Sequence, residues 1–253
     1  MSATTPAVAH PTPAGERTLT GTGTLVRFAM RRDRLRLPVW VLAVAATLIG
    51  LAASFPGLYP DADAHAARAT IVQSPAGVAF SGPRIGVSDY TFGAMLTNEM
   101  LGLAAVVVAL MSIFTVVRHT RANEEAGHTE LVRAGVVGRH APLGAALAVT
   151  VAADLAVGAV TALGLGALGL ESIDWRGSLL YGAALAGVGV VFAGVAALTA
   201  QVADHARSAI GIAGLVLGVS YGLRAAGDVT GRQFAWLSPI AWAQRTYAFV
   251  ENR

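Results

Sequence analysis

The chain has 253 residues, of which 55% are hydrophobic and 13% are charged, and its formal net charge is +3. Soluble domains usually carry about 25% charged residues, and disordered chains are poor in apolar ones, so this composition excludes both classes. All 18 basic residues are Arg, and neither Lys nor Cys occurs, which excludes a Walker A phosphate loop, a Schiff-base enzyme, disulfides and zinc–thiolate sites.

The N-terminal region falls into two parts. Residues 1–20 are rich in Pro, Ala and Thr, which is typical of a disordered tail. Residues 21–37 mix apolar and Arg positions, which predicts an interfacial amphipathic helix whose Arg side chains meet lipid headgroups. A basic segment that only orients the first span is the alternative. The Arg residues concerned are Arg27, Arg31, Arg32, Arg34 and Arg36.

Five apolar stretches follow, and each approaches the length of a membrane-spanning helix. A bilayer core of about 30 Å needs roughly 20 apolar residues in a helix. The five are apolar on every side, whereas helices of a soluble bundle keep a polar face. The sequence therefore predicts an all-α polytopic membrane protein with one transmembrane domain over residues 21–253. The predicted spans are residues 38–55, 100–117, 143–168, 178–200 and 209–223.

The charged residues are distributed unequally between the two sides that these spans define. Eleven Arg and six acidic residues fall on the side of the N-terminus, whereas seven Arg and eight acidic residues fall on the other side. Because basic residues concentrate in the cytoplasmic loops of membrane proteins, we expect a multi-pass protein of the plasma membrane with a cytoplasmic N-terminus. The membrane topology thus explains how the Arg residues are distributed, and we expect no nucleic-acid partner.

Residues 56–99 form a long connection on the outer side. Asp61 or Asp63 is predicted to begin a short helix there, because Asp is favoured at a helix N-terminus. The Gly, Pro and Ser residues that follow indicate a loop. The connection either caps the outer mouth of a pathway or is a passive connector.

The loop between the second and third spans carries charges of both signs around a small apolar face. At residues 118–142 it is long for the turn of a helical hairpin. Such a surface suits docking to another cytoplasmic protein, and a solvated run of charges is the alternative. The candidate docking residues are Glu124, Glu125, Gly127, Glu130, Leu131 and Arg133.

Asp154 lies near the middle of the third predicted span. A carboxylate at the bilayer centre costs ~2.5–3.5 kcal/mol, so we expect it to face protein or water rather than lipid. It is either a substrate or proton site, or a buried Asp that is bonded to a neighbouring helix.

The fifth span carries a ridge of Gly at every fourth position, namely Gly214, Gly218 and Gly222. Small residues allow close van der Waals packing of helices in lipid. The ridge is expected to pack against another helix, either of this chain or of a second copy. The six His residues show no metal-ligand spacing, so we expect no bound metal.

The stretch EEAGHTELVRAGVVGRHAP, residues 124–142, resembles the cytoplasmic loop of type-2 ABC transporter permeases, in particular the polyketide-antibiotic exporter permeases. Further matches are Tyr59-Pro60, Gly82-Pro83 and YTFGAM at residues 90–95. WLSPIAWAQRTYAF, within residues 234–250, resembles the outer re-entrant segment of that family, and the likeness runs from about residue 22 to the end. The family pattern in the loop falls on Glu124, Glu125, Gly127, Glu130, Leu131, Ala134 and Arg139.

The resemblance implies a transport subunit and not an enzyme. Such permeases form the efflux pathway for a hydrophobic or amphiphilic, antibiotic-like small molecule. A separate ABC ATP-binding subunit, present as a pair, docks on the coupling helix, here residues 124–133, and on the interfacial elbow, here residues 22–37. ATP and Mg would be bound by that partner and no cofactor by this chain, which agrees with the absence of Lys.

The sequence departs from the family in its length. Family members usually have six spans per half, often with two halves in one chain, whereas Arg253 stands where a sixth span is expected to start. We expect a fragment, a split gene product or a short half that works with a second permease half or as a homodimer.

Three other functions stay open at this point. A proton-coupled secondary transporter would use Asp154. An intramembrane protease with an EExxxR motif would use the Glu pair, but Thr129 occupies the Arg position of that motif. A non-transporting membrane partner, or a fragment of a permease, is the third.

Overall fold

The computed structural model describes residues 18–126 and 137–251. Over these residues the chain is helical and contains no β-strand. Five of the described helices are long and apolar enough to cross a membrane. The predicted class, an all-α polytopic membrane protein with about five spans, is confirmed.

The described residues form eleven α-helices, a π-helical turn and a 3-10 turn. The helices are α1 (Thr22–Arg32), α2 (Arg36–Leu58), α3 (Ala62–Gln73), α4 (Pro75–Ser81), α5 (Phe92–Met95), α6 (Leu101–His119), α7 (Arg121–Glu125), α8 (Ala141–Gly166), α9 (Trp175–Val202), α10 (Ala206–Thr230) and α11 (Pro239–Gln244). The π-helical turn Leu96–Met100 joins α5 to α6, and the 3-10 turn Gln233–Leu237 follows α10. The spans are α2, the continuous stretch from α5 to α7, and the three helices α8, α9 and α10.

The fifth span is longer than the sequence predicts. The apolar stretch ends at residue 223, but α10 continues to Thr230. Arg224 and Asp228, whose charges end the apolar stretch, have side chains that are 0% and 1% exposed and that interact with protein groups. The prediction that this span ends before its first charged residue is wrong, because the charged side chains are paired inside the protein.

The interfacial helix is shorter than the predicted segment. α1 ends at Arg32, a turn follows, and Arg36 is already the first residue of α2. Arg34 and Arg36 therefore lie outside α1, while Arg27, Arg31 and Arg32 lie in it. Phe28 is 64% exposed on this helix, which agrees with an apolar face turned towards lipid.

Part of the predicted disordered tail is bonded to the rest of the chain. The backbone N–H of Gly138 donates to Thr20 O at 2.9 Å, and that of His140 donates to Thr18 O at 3.1 Å. The prediction of disorder is therefore wrong for residues 18–20, since two backbone hydrogen bonds hold them beside the start of α8. Residues 1–17 lie outside the described part.

The centre of the bundle is formed by α6 and α9, which are the most buried of the five spans, and α2 and α10 are the least buried. α8 packs against α9 and α2, and α10 packs against α9 and α6. α8 and α9 cross at Gly158 and Gly182, where a Cβ added to Gly158 would lie 2.5 Å from Gly182 O. This close contact requires glycine on both helices.

The bundle has two ends, which we call the α1 end and the α4 end. The α1 end carries α1, α7 and the turn from α9 to α10, and the α4 end carries α3, α4 and the segment after α10. α3 begins after Asp61, as predicted, because its carboxylate accepts a hydrogen bond from Ala64 N at 2.8 Å. Ser74 caps α4 in the same way, through Gly77 N.

The C-terminus of α4 is held by side chains of α10 and α11. The last carbonyls of a helix lack partners within the helix and carry a partial negative charge. Arg224 donates to Ala79 O at 3.0 Å, Tyr221 to Phe80 O at 2.8 Å and Gln244 to Ser81 O at 2.6 Å. These bonds anchor the long connection onto the spans.

Candidate functional site

A buried charge cluster joins the elbow to the core at the α1 end. Asp33, in the turn between α1 and α2, is 1% exposed. Its carboxylate accepts hydrogen bonds from Arg118 and from His119 Nε2, the latter at 2.6 Å, and both residues belong to the last turn of α6. One polar group from this turn and two from the second span therefore meet where the interfacial helix turns into the first span.

The short helix α7 extends this cluster to the fifth span. Arg32 of α1 donates to Asn123 Oδ1 of α7 at 2.8 Å. Arg121 donates to Ala203 O, the residue that ends α9, at 2.7 Å. Glu125 Oε1 accepts from Ala206 N, the first residue of α10, at 2.7 Å. Hydrogen bonds thus connect α7 to α1, to the residue after α9 and to the start of α10.

Two of the six predicted docking residues lie within the described part of the chain, and four lie outside it. Glu124 is exposed and pairs with Arg121, so it is available at the surface. Glu125 is also exposed but is used as the N-terminal cap of α10. The other four, Gly127, Glu130, Leu131 and Arg133, lie outside the described residues.

Asp154 is enclosed between three spans. It is 0% exposed, and its Oδ1 lies 2.8 Å from Ser112 Oγ of α6. On α9 it faces Gly189, where an added Cβ would overlap with the carboxyl group. Its Oδ2 has no hydrogen-bond partner among the described residues. This geometry favours the interpretation of a buried Asp bonded to a neighbouring helix.

The Gly ridge of the fifth span packs against no helix of the described chain. An added Cβ at Gly214, Gly218 or Gly222 would meet no heavy atom within 4 Å. Packing within the chain is therefore a wrong interpretation for the described residues, because the buried side of α10 is formed by other positions. An interface with a second copy stays a prediction.

Two glycines that were not predicted as packing positions, Gly158 and Gly182, do pack closely. Each is followed four residues later by a second small residue, Ala162 and Ala186, so the signal was present in the sequence. It is hidden because both helices are rich in Ala and Gly throughout.

Three consecutive polar side chains of the π-helical turn hold the α4 end together. Thr97 donates to Ala248 O at 2.6 Å, and Asn98 donates to Ile85 O at 2.7 Å. Glu99, which follows them, accepts hydrogen bonds from two further residues. A π-helical turn adds one residue to the helix and often marks a functional site. Here it directs neighbouring side chains to separate outer segments.

Glu99 is the most strongly bonded of these three side chains. It accepts two hydrogen bonds from Arg68 of α3 and one from the Tyr90 hydroxyl at 3.0 Å. The hydrogen bond and charge of Glu99 raise the pKa of Arg68 above its ordinary value. Burial, and then the charge of Glu99, raise the pKa of Tyr90. Arg68 and Tyr90 thus keep their protons at neutral pH, and their hydrogen bonds to Glu99 persist there.

The segment after α10 folds back onto the bundle. It contains the 3-10 turn and α11, and Ile240, Gln244 and Ala248 are fully or almost fully buried in it. Gly82, with φ at +140°, approaches Gln244 so closely that a Cβ would overlap with that side chain. The predicted re-entrant segment, residues 234–250, therefore packs beside the outer connection.

The described residues contain no cluster of three His, Asp or Glu side chains that could hold a metal ion. The clusters that they do contain, around Asp33 and Glu99, were not predicted. Both clusters lie at the ends of spans. The feature of the sequence that could have indicated them is a single acidic residue beside an apolar stretch.

No protein-family model matches the chain. It is 40% identical over 249 residues, 95% of its own length, to a protein of Mycobacterium tuberculosis that is named a multidrug efflux system permease protein. The chain spans 44% of the length of that relative. The resemblance to exporter permeases that the loop motif indicates is confirmed by this comparison.

Proposed function

Because the chain is homologous over 95% of its length to a multidrug efflux permease, we propose that it is the membrane-spanning permease part of an ATP-driven exporter. Its cargo is a hydrophobic or amphiphilic small molecule. The homology and the five spans are the observations that support this function most strongly. The chain acts as a transport subunit, and the hydrolysis of ATP belongs to a partner.

The protein lies in the plasma membrane with its α1 end in the cytoplasm. The larger number of Arg residues at this end supports the orientation. The exposed Phe28 and Met30 of α1 support a location of this helix in the lipid headgroup region.

A pair of ATP-binding-cassette subunits docks at the α1 end, and ATP and Mg are bound there by those subunits. Glu124 belongs to the docking surface. The hydrogen bonds from α7 to the end of α1 and to the start of α10 give a mechanical route from this surface to the elbow and to the fifth span. The Asp33 cluster carries the same displacement into α6.

A complete pathway requires a second permease half or a second copy of this chain. The relative is more than twice as long as the chain, which leaves room in that protein for such a half. The Gly ridge of α10 is the surface that would meet it, since no described helix covers the ridge.

The docking proposal is tested by purification of the tagged chain from its native membranes. The chain should retain an ATP-binding subunit, detected as Mg-dependent ATP hydrolysis in the purified sample. Glu124→Arg should remove that activity, whereas Glu171→Arg, an exposed Glu at the α4 end, should not. Glu125 is avoided because it caps α10. Equal activity in both variants would contradict the docking site.

A further inference from the structure

A cavity of about 250 Å³ lies at the α4 end, outside the clusters described above. The C-terminal end of α10 forms one wall, and the turn that follows it and the loop at residues 83–84 form the others. The side chains that matter for its chemistry are Arg84, Asp228, Arg232, Trp236 and Arg245.

The lining of this cavity carries a net charge of +2, from three guanidinium groups and one carboxylate. The carboxylate is Asp228, and its Oδ1 accepts from Arg245 Nη2 at 3.0 Å. The C-terminus of α10 adds a partial negative charge of roughly 0.5, which is smaller than the net charge of the side chains. The cavity is therefore electropositive.

Several guanidinium donors at the cavity have no carboxylate partner. Arg84 and Arg232 are exposed, and neither forms an ion pair with residues 18–126 or 137–251. Nη1 of Arg245 is buried and has no hydrogen-bond partner there. A buried donor without a partner costs free energy. An anionic oxygen in the cavity would satisfy it and would also attract the two exposed side chains.

Exposed apolar side chains lie in and beside the cavity: Trp236 lines it, Leu237 is the next residue, and the Trp242 indole N–H donates to Trp236 O at 2.6 Å. Trp236, Leu237 and Trp242 are 56%, 70% and 48% exposed. Trp side chains concentrate at the boundary between the acyl chains and water. The guanidinium of Arg245 lies 5.1 Å from the ring centre of Trp236, so this exposed Trp contacts a basic side chain of the cavity. We therefore expect the cavity to open near the depth of the lipid headgroups.

We propose that this cavity binds the phosphate group of an anionic lipid. Guanidinium groups recognise phosphate through paired hydrogen bonds. The exposed Trp and Leu side chains beside the mouth supply the apolar surface on which the acyl chains lie. A soluble phosphate ester shares the anion but lacks those chains, so the two sources are separable by experiment. The site requires no transport activity, and it stands independently of the proposed function.

The test uses the full chain, purified in a mild detergent, with lipid retention measured by native mass spectrometry. Phosphatidylglycerol and phosphatidylcholine are offered as an equimolar mixture. The parent chain should retain phosphatidylglycerol in preference. Arg84→Gln combined with Arg232→Gln should weaken this retention by about tenfold or more, because two charge-assisted contacts are lost.

The matched control is Arg176→Gln, which removes an equally exposed Arg at the same end but outside the cavity. It should retain phosphatidylglycerol as the parent does. An equal loss in this control, or no loss in the double variant, would overturn the proposal. Glycerol 1-phosphate that displaced the lipid at the same concentration would also overturn it, in favour of a soluble anion. If the double variant unfolds, Arg232→Gln alone serves for the same comparison.

Discussion

Ser112 and Asp154 show how one polar pair is accommodated inside the bundle. The Ser112 hydroxyl has a single proton and lies 3.0 Å from Val108 O and 2.8 Å from Asp154 Oδ1. The hydroxyl proton can serve only one of these two acceptors, and Asp154 Oδ2 has no hydrogen-bond partner among the described residues. A neutral Asp154 that donated to Ser112 Oγ would leave the hydroxyl proton to Val108 O and would avoid the cost of a charge at this depth. Gly189 provides the space for the carboxyl group.

At the residue scale, we predict that Gly189→Ala lowers the free energy of unfolding by about 1–3 kcal/mol, because the new methyl group overlaps with Asp154. Detergent denaturation followed by circular dichroism measures this change. Gly187→Ala on the same helix is the control, since its added Cβ meets no heavy atom within 4 Å. An equal effect of both substitutions would contradict the packing described for Asp154.

At the scale of the elements, the elbow and the ends of the spans form one connected unit. Asp33 links the turn before α2 to α6, and Arg32 links α1 to α7. Glu125 links α7 to α10. Because these contacts connect α7 to the elbow and to α10, and the elbow to α6, we expect a force on α7 to reach several spans.

Asp33→Asn is expected to weaken this unit. The substitution removes the charge that Arg118 and His119 share, at a cost of about 1.5–3 kcal/mol in the free energy of unfolding. It should also lower the amount of cargo moved per ATP hydrolysed, measured in proteoliposomes that contain the partner ATPase. Asp204→Asn, an exposed Asp at the same end, should change neither quantity. Unchanged transport in Asp33→Asn at reduced stability would show that the cluster has only a structural role.

For the molecule as a whole, the length of five stretches that are apolar on every side was sufficient to predict the class and the number of spans. The ends of α10 and the positions of close packing were not predictable in this way. The length of α10 depends on Arg224 and Asp228, whose partners, such as Arg245, are distant in sequence or come from another element. The length of an apolar stretch does not indicate whether a charged residue at its end is neutralised by a tertiary contact.

The same limit explains the clusters around Asp33 and Glu99. Each unites residues from separate elements, so no local motif marks them. The loop motif at residues 124–142, by contrast, is continuous in sequence, and the relationship that it indicated was found. Features that lie within one helix or loop were thus predictable from the sequence. Contacts between several helices became visible only in the structure.

The assembly proposal makes a prediction about the Gly ridge. Gly218→Leu should leave the unfolding temperature of the purified chain unchanged, because a Cβ added there would meet no heavy atom of another described element within 4 Å. It should reduce association with a second permease half or a second copy, measured by cross-linking in membranes. Gly187→Leu on α9, an equally open glycine, should leave association unchanged. Association that survives Gly218→Leu would exclude the ridge from the interface.

The energy source of export is measured as dye uptake into inside-out vesicles from native membranes, prepared with and without this chain. We predict that ATP with Mg drives uptake of a fluorescent hydrophobic dye only when the chain is present. This uptake should resist a protonophore, and it should continue at the parent rate in Asp154→Asn. Uptake that follows an imposed proton gradient, that needs no ATP and that is lost in Asp154→Asn would contradict the account.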